Sequence, residues 1–403
     1  MNRACIAATI VAMIPVSLRA ADTPVTVADE AAPAVVNPLL VAPSPAPIPQ
    51  PPPEELQAAI DRGVAFLLAD QNPDGSWGSA ERTKDLNIYA PVPGSHHAFR
   101  TAVTAMCIAA LIETKNDSEE VTASLERGEE WLVANAPRLR RATPDAIYNV
   151  WGHCYAISAF AHMIERHPAD DARRAEFLDL IAQQIQLLER YESVDGGWGY
   201  YDFRAGAQRP TSSSTSFQTA AVLVAWKEAE RLGVTIPEKP LQRAIDSIHR
   251  QRKPDFSYIY GEYLKMSPMM PINRPGGSVG RSQSCNAALR MWGDEAITDE
   301  VLRAWLDRLF TRGGWLDIGR KRPVPHEAWF QVAGYFYYFG HYYGALAIEL
   351  LPADQRAEYQ DHLAATMLQR QEKDGSWWDY PLYNYHQQYG TAYALMTLVR
   401  CQR

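Results

Sequence analysis

Cysteine is scarce in this chain, five among 403 residues, and that scarcity excludes a small scaffold held together by disulfides. Glycine, at 24 residues, is far too rare for a collagen repeat. An excess of basic charge is also missing. Lys and Arg total 39 against 47 Asp and Glu, a net charge of −8, which argues against nucleic acid as a partner. Beyond the N-terminal run, no stretch is long and apolar enough to span a bilayer. What remains is ordinary for a globular protein able to bury a core: 47% hydrophobic and 21% charged residues.

The chain begins as an export signal would. Arg3 precedes an apolar run, Ala4–Leu18, that is short for a bilayer span, and the small residues Ala20 and Ala21 offer a cleavage point. Residues 1–21 are therefore expected to be a signal peptide, with an uncleaved anchor as the alternative, and the protein to work in the periplasm or outside the cell. Residues 22–53 hold ten of the 28 prolines, alternating with small residues, the composition of an extended disordered tether. The folded domain is expected over 54–403. Its cysteines are Cys107, Cys154, Cys285 and Cys401, the first three inside apolar helical runs, which favours buried free thiols over two disulfides.

The folded part is repetitive. Six segments are rich in small apolar residues at helical spacing: His97–Ile112, Tyr148–Ile164, Ser213–Ala229, Ser278–Trp292, Tyr335–Leu350 and His386–Val399. Helices apolar on most faces are buried. Each follows an amphipathic segment with a charged face: Glu54–Asp70, Ser118–Ala134, Asp170–Glu192, Lys239–Arg252, Thr298–Phe310 and Ala353–Glu372. Acidic and capping residues mark the starts of several of these. Six inner and six outer helices form an all-α barrel, an (α/α)6 toroid, in which every inner helix can be buried alike; a solenoid of the same pairs would leave a wet concave face. Connections from outer to inner helix are long and the reverse ones short. All long loops then lie at one end, where function concentrates.

Several long loops open with one signature. It reads GVAFLLADQNPDGSWG at 63–78 and LQRQEKDGSWWDY at 368–380, with Gln71 and Trp77, and Gln371 and Trp377, six apart. Weaker copies are SVDGGWGYYDF at 193–203 and RGGWLD at 312–317. The Asp-Gly pair turns the chain at the end of an outer helix, and the Trp folds back to tie neighbouring pairs. The signature resembles the QW motif of the terpenoid cyclase and protein prenyltransferase superfamily, the squalene cyclases and prenyltransferase β-subunits with their prenyltransferase/squalene oxidase repeats. The resemblance covers essentially all of 54–403 and implies an α/α toroid.

The chemistry that the resemblance implies transfers only in part. Squalene-cyclase-like enzymes protonate an alkene through an Asp-x-Asp-Asp motif, which occurs nowhere in this chain. Prenyltransferase β-subunits bind zinc through an Asp and a Cys two apart and a His one pair later. Cys285 and His341 stand at matching positions, but Gln283 replaces the Asp, and a neutral amide is a poor zinc ligand beside a carboxylate. No cofactor is therefore expected, and zinc is disfavoured.

The long loops carry further candidates. Arg100, Arg204, Arg209, Arg274, Arg281, Arg320, Lys321 and Arg322 collect at the same end as the inner-helix N-termini, a setting for an anionic group, unless rim acids pair with them. Aromatic runs there include Tyr260, Tyr342 and Trp378, able to line a hydrocarbon cavity or stack on sugar rings. For proton transfer the candidates are Glu262, Asp202, Glu327, His153 and His341. His153 and His341 share a helical position with Thr101, Thr219, Ser284 and Thr391, and that polar column is expected to face the lumen. No motif assigns a reaction. The leading expectation is a toroid that binds or transforms an amphipathic ligand, isoprenoid lipids being the first class to test. A carbohydrate-active toroid with two carboxylates and a non-catalytic envelope scaffold are the alternatives.

Overall fold

The computed structural model describes residues 37–84, 93–139, 148–199 and 214–403. In chain order the helices are α1 (Pro53–Ala69), α2 (Pro93–Glu113), α3 (Glu119–Asn135), α4 (Asn149–Arg166), α5 (Asp171–Tyr191), α6 (Ser216–Arg231), α7 (Glu238–Gln251), α8 (Pro275–Met291), α9 (Asp299–Thr311), α10 (Gly314–Asp317, a single turn), α11 (Phe336–Glu349), α12 (Ala357–Leu368) and α13 (His386–Val399). Among the described residues there is no strand, only isolated bridges.

The inner ring is α2, α4, α6, α8, α11 and α13. Each packs on the next, and α13 returns to α2, so the ring closes into an α/α toroid. Small residues permit this closeness. Where α8 meets α11, a Cβ on Gly340 would lie 2.7 Å from the Gly280 Cα, a distance that only glycine accommodates. Outer helices pack outside their inner partners, and three are capped by side chains: Ser118 Oγ accepts from the Val121 N–H, Asp170 Oδ1 from Arg173, and Thr298 Oγ1 from Val301. The long connections all precede inner helices, leaving the lumen to be finished by loops at their N-terminal ends.

Three loops clasp the outer shell by one geometry. The Trp77, Trp198 and Trp377 side chains are fully buried. Each indole N–H donates to a carbonyl ten residues back, on Leu67, Leu188 and Met367 at 2.8, 2.9 and 2.9 Å. Their backbone N–H groups donate to the hydroxyls of Thr104, Thr219 and Thr391, at 3.0 Å in each case. The residue six before each Trp then reaches the following outer helix. Gln71 Nε2 donates to the Ser124 carbonyl on α3, Glu192 accepts from Arg243 on α7, and Gln371 Nε2 donates to the Ala59 carbonyl on α1. The last clasp thus joins the end of the chain to its first helix. Receiving positions share an Arg followed by a small residue, Arg62-Gly63, Arg127-Gly128 and Arg243-Ala244. A Cβ on Gly63 or Gly128 would meet the Trp377 or Trp77 ring at 2.8 or 2.9 Å. The segment 312–317 departs from this pattern: it folds as α10, and Trp315 packs on Phe330 with ring centroids 5.2 Å apart.

The other end of the ring is plugged by charge. Glu113 accepts from His162 Nε2 at 2.8 Å and from Arg400, and Glu228 lies buried beside them. These groups sit at the C-terminal ends of α2, α4, α6 and α13, whose dipoles favour cations. The ion pairs outweigh burial, holding His162 up at about 9 and Glu113 down at about 2. Part of the expected tether is not separate from the domain. From Pro38 onward the chain belongs to the compact unit, with Arg308 donating to the Leu39 carbonyl at 2.6 Å. The expected signal segment lies outside the described residues.

Candidate functional site

Because the inner helices turn aromatic residues inward near their N-termini, the lumen is a cup of about 310 Å³, at the lower end of the range of roughly 300–1,000 Å³ for ligand pockets. Its wall is built by Phe99, Val103 and Met106 of α2, Trp151 and Tyr155 of α4, Phe217 of α6, Phe336 and Phe339 of α11, and Tyr389 and Tyr393 of α13. Loops add Tyr148, Tyr260, Tyr263, Leu264, Ile272, His326, Tyr335, Tyr380 and Leu382. The Tyr155 and Tyr393 hydroxyls hydrogen-bond to each other and form the floor. Beneath them Tyr342, Tyr343 and Met396 leave a void of about 10 Å³, above the charged plug. No Lys, Arg, Asp or Glu is among the described lining residues.

Polar function in the wall comes from two groups. At the loop end, Tyr260 and Tyr335 hydroxyls are 3.1 Å apart, and Tyr335 Oη is 3.1 Å from His326 Nε2. At the wall, the Tyr389 hydroxyl donates to Asp379 Oδ1 at 2.6 Å, while Oδ2 accepts from the Tyr338 N–H at 3.0 Å, capping α11. Burial raises the Asp379 carboxyl to about 7, outweighing those hydrogen bonds and Arg320. Asp379 therefore holds a proton close to neutrality and meets the lumen only through Tyr389. It is a weaker acid than an ordinary Asp, the wrong direction for protonating an alkene.

The expected acid–base residues are dispersed. Glu262 Oε1 accepts from Arg250 Nε at 2.8 Å and from Ser247 Oγ at 3.3 Å, off the cup. His153 Nδ1 lies 2.6 Å from Gln184 Oε1 on α5, and His341 Nδ1 donates to the Tyr337 carbonyl at 2.7 Å. Burial lowers both imidazoles to about 4. The polar column they share with Thr219 and Thr391 faces the outer shell and its Trp clasps, not the lumen, because an inner helix must also meet the second layer. Glu327 is exposed and outside the lining. Asp202, like Arg204 and Arg209, lies outside the described residues.

Of the expected ligand-binding residues, Tyr260 alone lines the cup. Arg281 is fully buried and spends its donors on the carbonyls of Tyr258, Gly277 and Ile272. Arg100 donates to Asp74 and Ser76, and Arg274 to the Met269 carbonyl. Tyr342 lies below the floor. Trp378 carries Lys321 over its ring, 4.3 Å from the centroid. The zinc positions do not fit a metal. Gln283, a neutral amide, donates its Nε2 to the Trp305 carbonyl at 2.8 Å, and no cluster of three or more His, Cys, Asp or Glu able to hold a metal exists among the described residues. The four cysteines of the folded part are buried and unpaired.

His326, Tyr335, Asp379 and Tyr389 escaped the sequence reading as site residues. Tyr335 and Asp379 stand in the aromatic stretches 328–343 and 377–386, but only the tertiary structure turns Tyr335 to the lumen and sets Asp379 behind Tyr389.

A family model for the squalene-hopene cyclase C-terminal domain matches residues 48–265, more than half of the chain. The chain belongs to this family. It is thereby a member of the terpenoid cyclase and prenyltransferase superfamily. No curated protein matches it. Among solved structures, an α-1,6-mannanase of Salegentibacter sp. HEL1_6 is similar at TM-score 0.55 and 9% identity, covering 86% of this chain and 98% of that one. An α-amylase from Clostridium perfringens is similar at 0.52 and 11%, covering 88% and 99%. The type II terpene cyclase MstE from Scytonema is similar at 0.49 and 15%, covering 87% and 99%. At such identities the likeness to the mannanase and the amylase speaks for the toroid alone.

Proposed function

We propose that this squalene-hopene cyclase-type toroid binds an amphipathic, mainly hydrocarbon ligand of isoprenoid class in its aromatic cup. The observation that carries the reading is the lining. Phe, Tyr and Trp make most of a deep wall without a described charged side chain, and burial of hydrocarbon against such a wall is favourable at about 25 cal/mol per Å². Exposed Met266, Met269 and Trp329 lie in the loops that supply Leu264, Ile272 and His326, so the approach is also apolar. A glycosidase would need two carboxylates facing the substrate, and the described lining offers none. The weak acidity of Asp379 and the missing Asp-x-Asp-Asp motif favour binding, or a mild proton transfer, over cyclisation started by alkene protonation. Export is part of the proposal, on the strength of the apolar segment Ala4–Leu18 and the Pro-rich stretch after it.

The test is mass spectrometry of organic extracts from protein purified out of its native envelope, beside an Ala102→Trp variant that fills the cup. A terpenoid or other apolar lipid bound to the native protein and depleted in the variant is the expected result. Glycans alone, or equal lipid on both proteins, would refute the reading.

A further inference from the structure

One side of the cup has a carboxyl group behind its wall. Tyr389 of α13 lines the cup, and its hydroxyl oxygen is 2.6 Å from Oδ1 of the fully buried Asp379. The other oxygen, Oδ2, faces the Tyr338 N–H at 3.0 Å. A donor already occupies that side, so the proton that Asp379 takes up sits on Oδ1, in line with Tyr389. The contact between the two oxygens holds one hydrogen. While Asp379 is ionised, that hydrogen belongs to Tyr389. Once Asp379 is protonated, the acid donates and the phenol oxygen accepts, and the phenol's own hydrogen turns away from Asp379. The ring that carries it is part of the cup wall. An O–H without a partner at an apolar wall is unfavourable, and an acceptor brought to it removes that cost.

The groups around Asp379 decide the pH at which the hydrogen changes hands. Arg320, in the segment after α10, favours ionisation, and it is paired with Asp317 at 2.7 Å. Lys321 gives its backbone N–H to the Asp379 carbonyl and its ammonium to Glu372. Beside the Asp379 carboxyl, α11 brings the phenols of Tyr337 and Tyr338, which burial keeps protonated. Helix α13 brings Tyr389 and, against Trp378, His386, which burial lowers to about 4 and so leaves neutral. Burial of Asp379 outweighs Arg320 and both hydrogen bonds, and the exchange falls at about pH 7.

We propose that Tyr389, turned by Asp379, anchors an acceptor oxygen of the ligand, so that the apolar ligand carries a carbonyl group. The proposal rests on the apolar-ligand reading above and adds the polar group. A carbonyl oxygen only accepts. It is held while Tyr389 donates toward the cup, and loses its partner when ionised Asp379 takes the hydrogen back. An alcohol accepting there brings a second hydrogen that needs a partner of its own, and it can instead turn and donate to the phenol oxygen in either state.

The experiment titrates the full chain with geranylacetone, with the alcohol made by its reduction, and with the hydrocarbon in which a methylene replaces the carbonyl. Binding is followed by quenching of Trp fluorescence at about pH 5 and about pH 9, on either side of the Asp379 transition, with Asp379→Asn and Tyr389→Phe alongside. At the lower pH the ketone is expected to bind roughly five- to tenfold more tightly than the hydrocarbon, the worth of one hydrogen bond, and more tightly than the alcohol. At the higher pH the ketone-to-hydrocarbon ratio should fall to about one. Asp379→Asn, whose amide donates to the Tyr389 oxygen at either pH, should hold the ratio level, and Tyr389→Phe should bring it to about one throughout. Four results would each overturn the carbonyl anchor and leave the hydrocarbon reading standing: equal binding of ketone and hydrocarbon at the lower pH, the alcohol binding best there, a ratio that pH does not move in the unsubstituted protein, or a ratio that survives Tyr389→Phe. Failure of all three compounds to bind a folded protein would overturn both.

Discussion

Replacing Asp379 by Asn removes a charge that the folded protein accommodates badly, and the consequence depends on pH in a calculable way. The carboxyl is fully buried, and burial lifts it from its ordinary 3.8 to about 7. Between those values the native state keeps a proton that the unfolded chain has released. The folded state is thus progressively penalised as pH rises from about 4 to about 7, and the full penalty stands above that range. A separation of roughly three pH units is worth about 4 kcal/mol, a large share of the roughly 5–15 kcal/mol that keeps a domain folded. Asn reproduces the protonated acid: its oxygen can accept from the Tyr338 N–H, and its amide can donate to the Tyr389 oxygen. Asp379→Asn should therefore gain on the unsubstituted protein by about 2–3 kcal/mol between about pH 5 and pH 8. Urea unfolding followed by Trp fluorescence measures this. His153, His341 and His386 titrate in both proteins and cancel in the difference. A gap that stays constant over this range, or one that narrows as pH rises, would refute the account of Asp379.

Two further outcomes are expected. Trp377→Ala, which empties the clasp joining the last loop to α1, should cost about 3–5 kcal/mol in urea unfolding, whereas Trp315→Ala, at a half-buried ring outside any clasp, should cost clearly less; a loss below about 1 kcal/mol at Trp377 would remove its stapling role. Elemental analysis of purified protein should find zinc well below one per chain, and stoichiometric zinc that disappears in Cys285→Ser or His341→Ala would reverse the conclusion drawn from Gln283.

Much of the architecture was legible because it repeats. Small apolar residues on most faces of six segments, and charged faces on the six that alternate with them, are local properties, and the inner helices fall where those patterns run. Trp77 and Trp377 were recognisable for the same reason, since a turn of Asp-Gly and a Trp at constant offset is a local arrangement. The 312–317 copy misled because it holds only the Gly and Trp of the pattern, without the residue six positions earlier that reaches a neighbouring helix.

The site was much less legible. Arg281 has the charge of an anion ligand, yet three carbonyls of its own neighbourhood absorb its donors. His153 and His341 share a helical position, but an inner helix has two buried faces, and apolar periodicity cannot say which face meets the lumen. In this way the sequence by itself determined the helices, their two shells and the end at which the long loops gather, because these follow from local composition and spacing. Only the tertiary structure decided which aromatic rings enclose the cup and that Tyr260, Tyr335 and His326 meet, since those contacts join loops as many as 75 residues apart and exist only once the ring has closed.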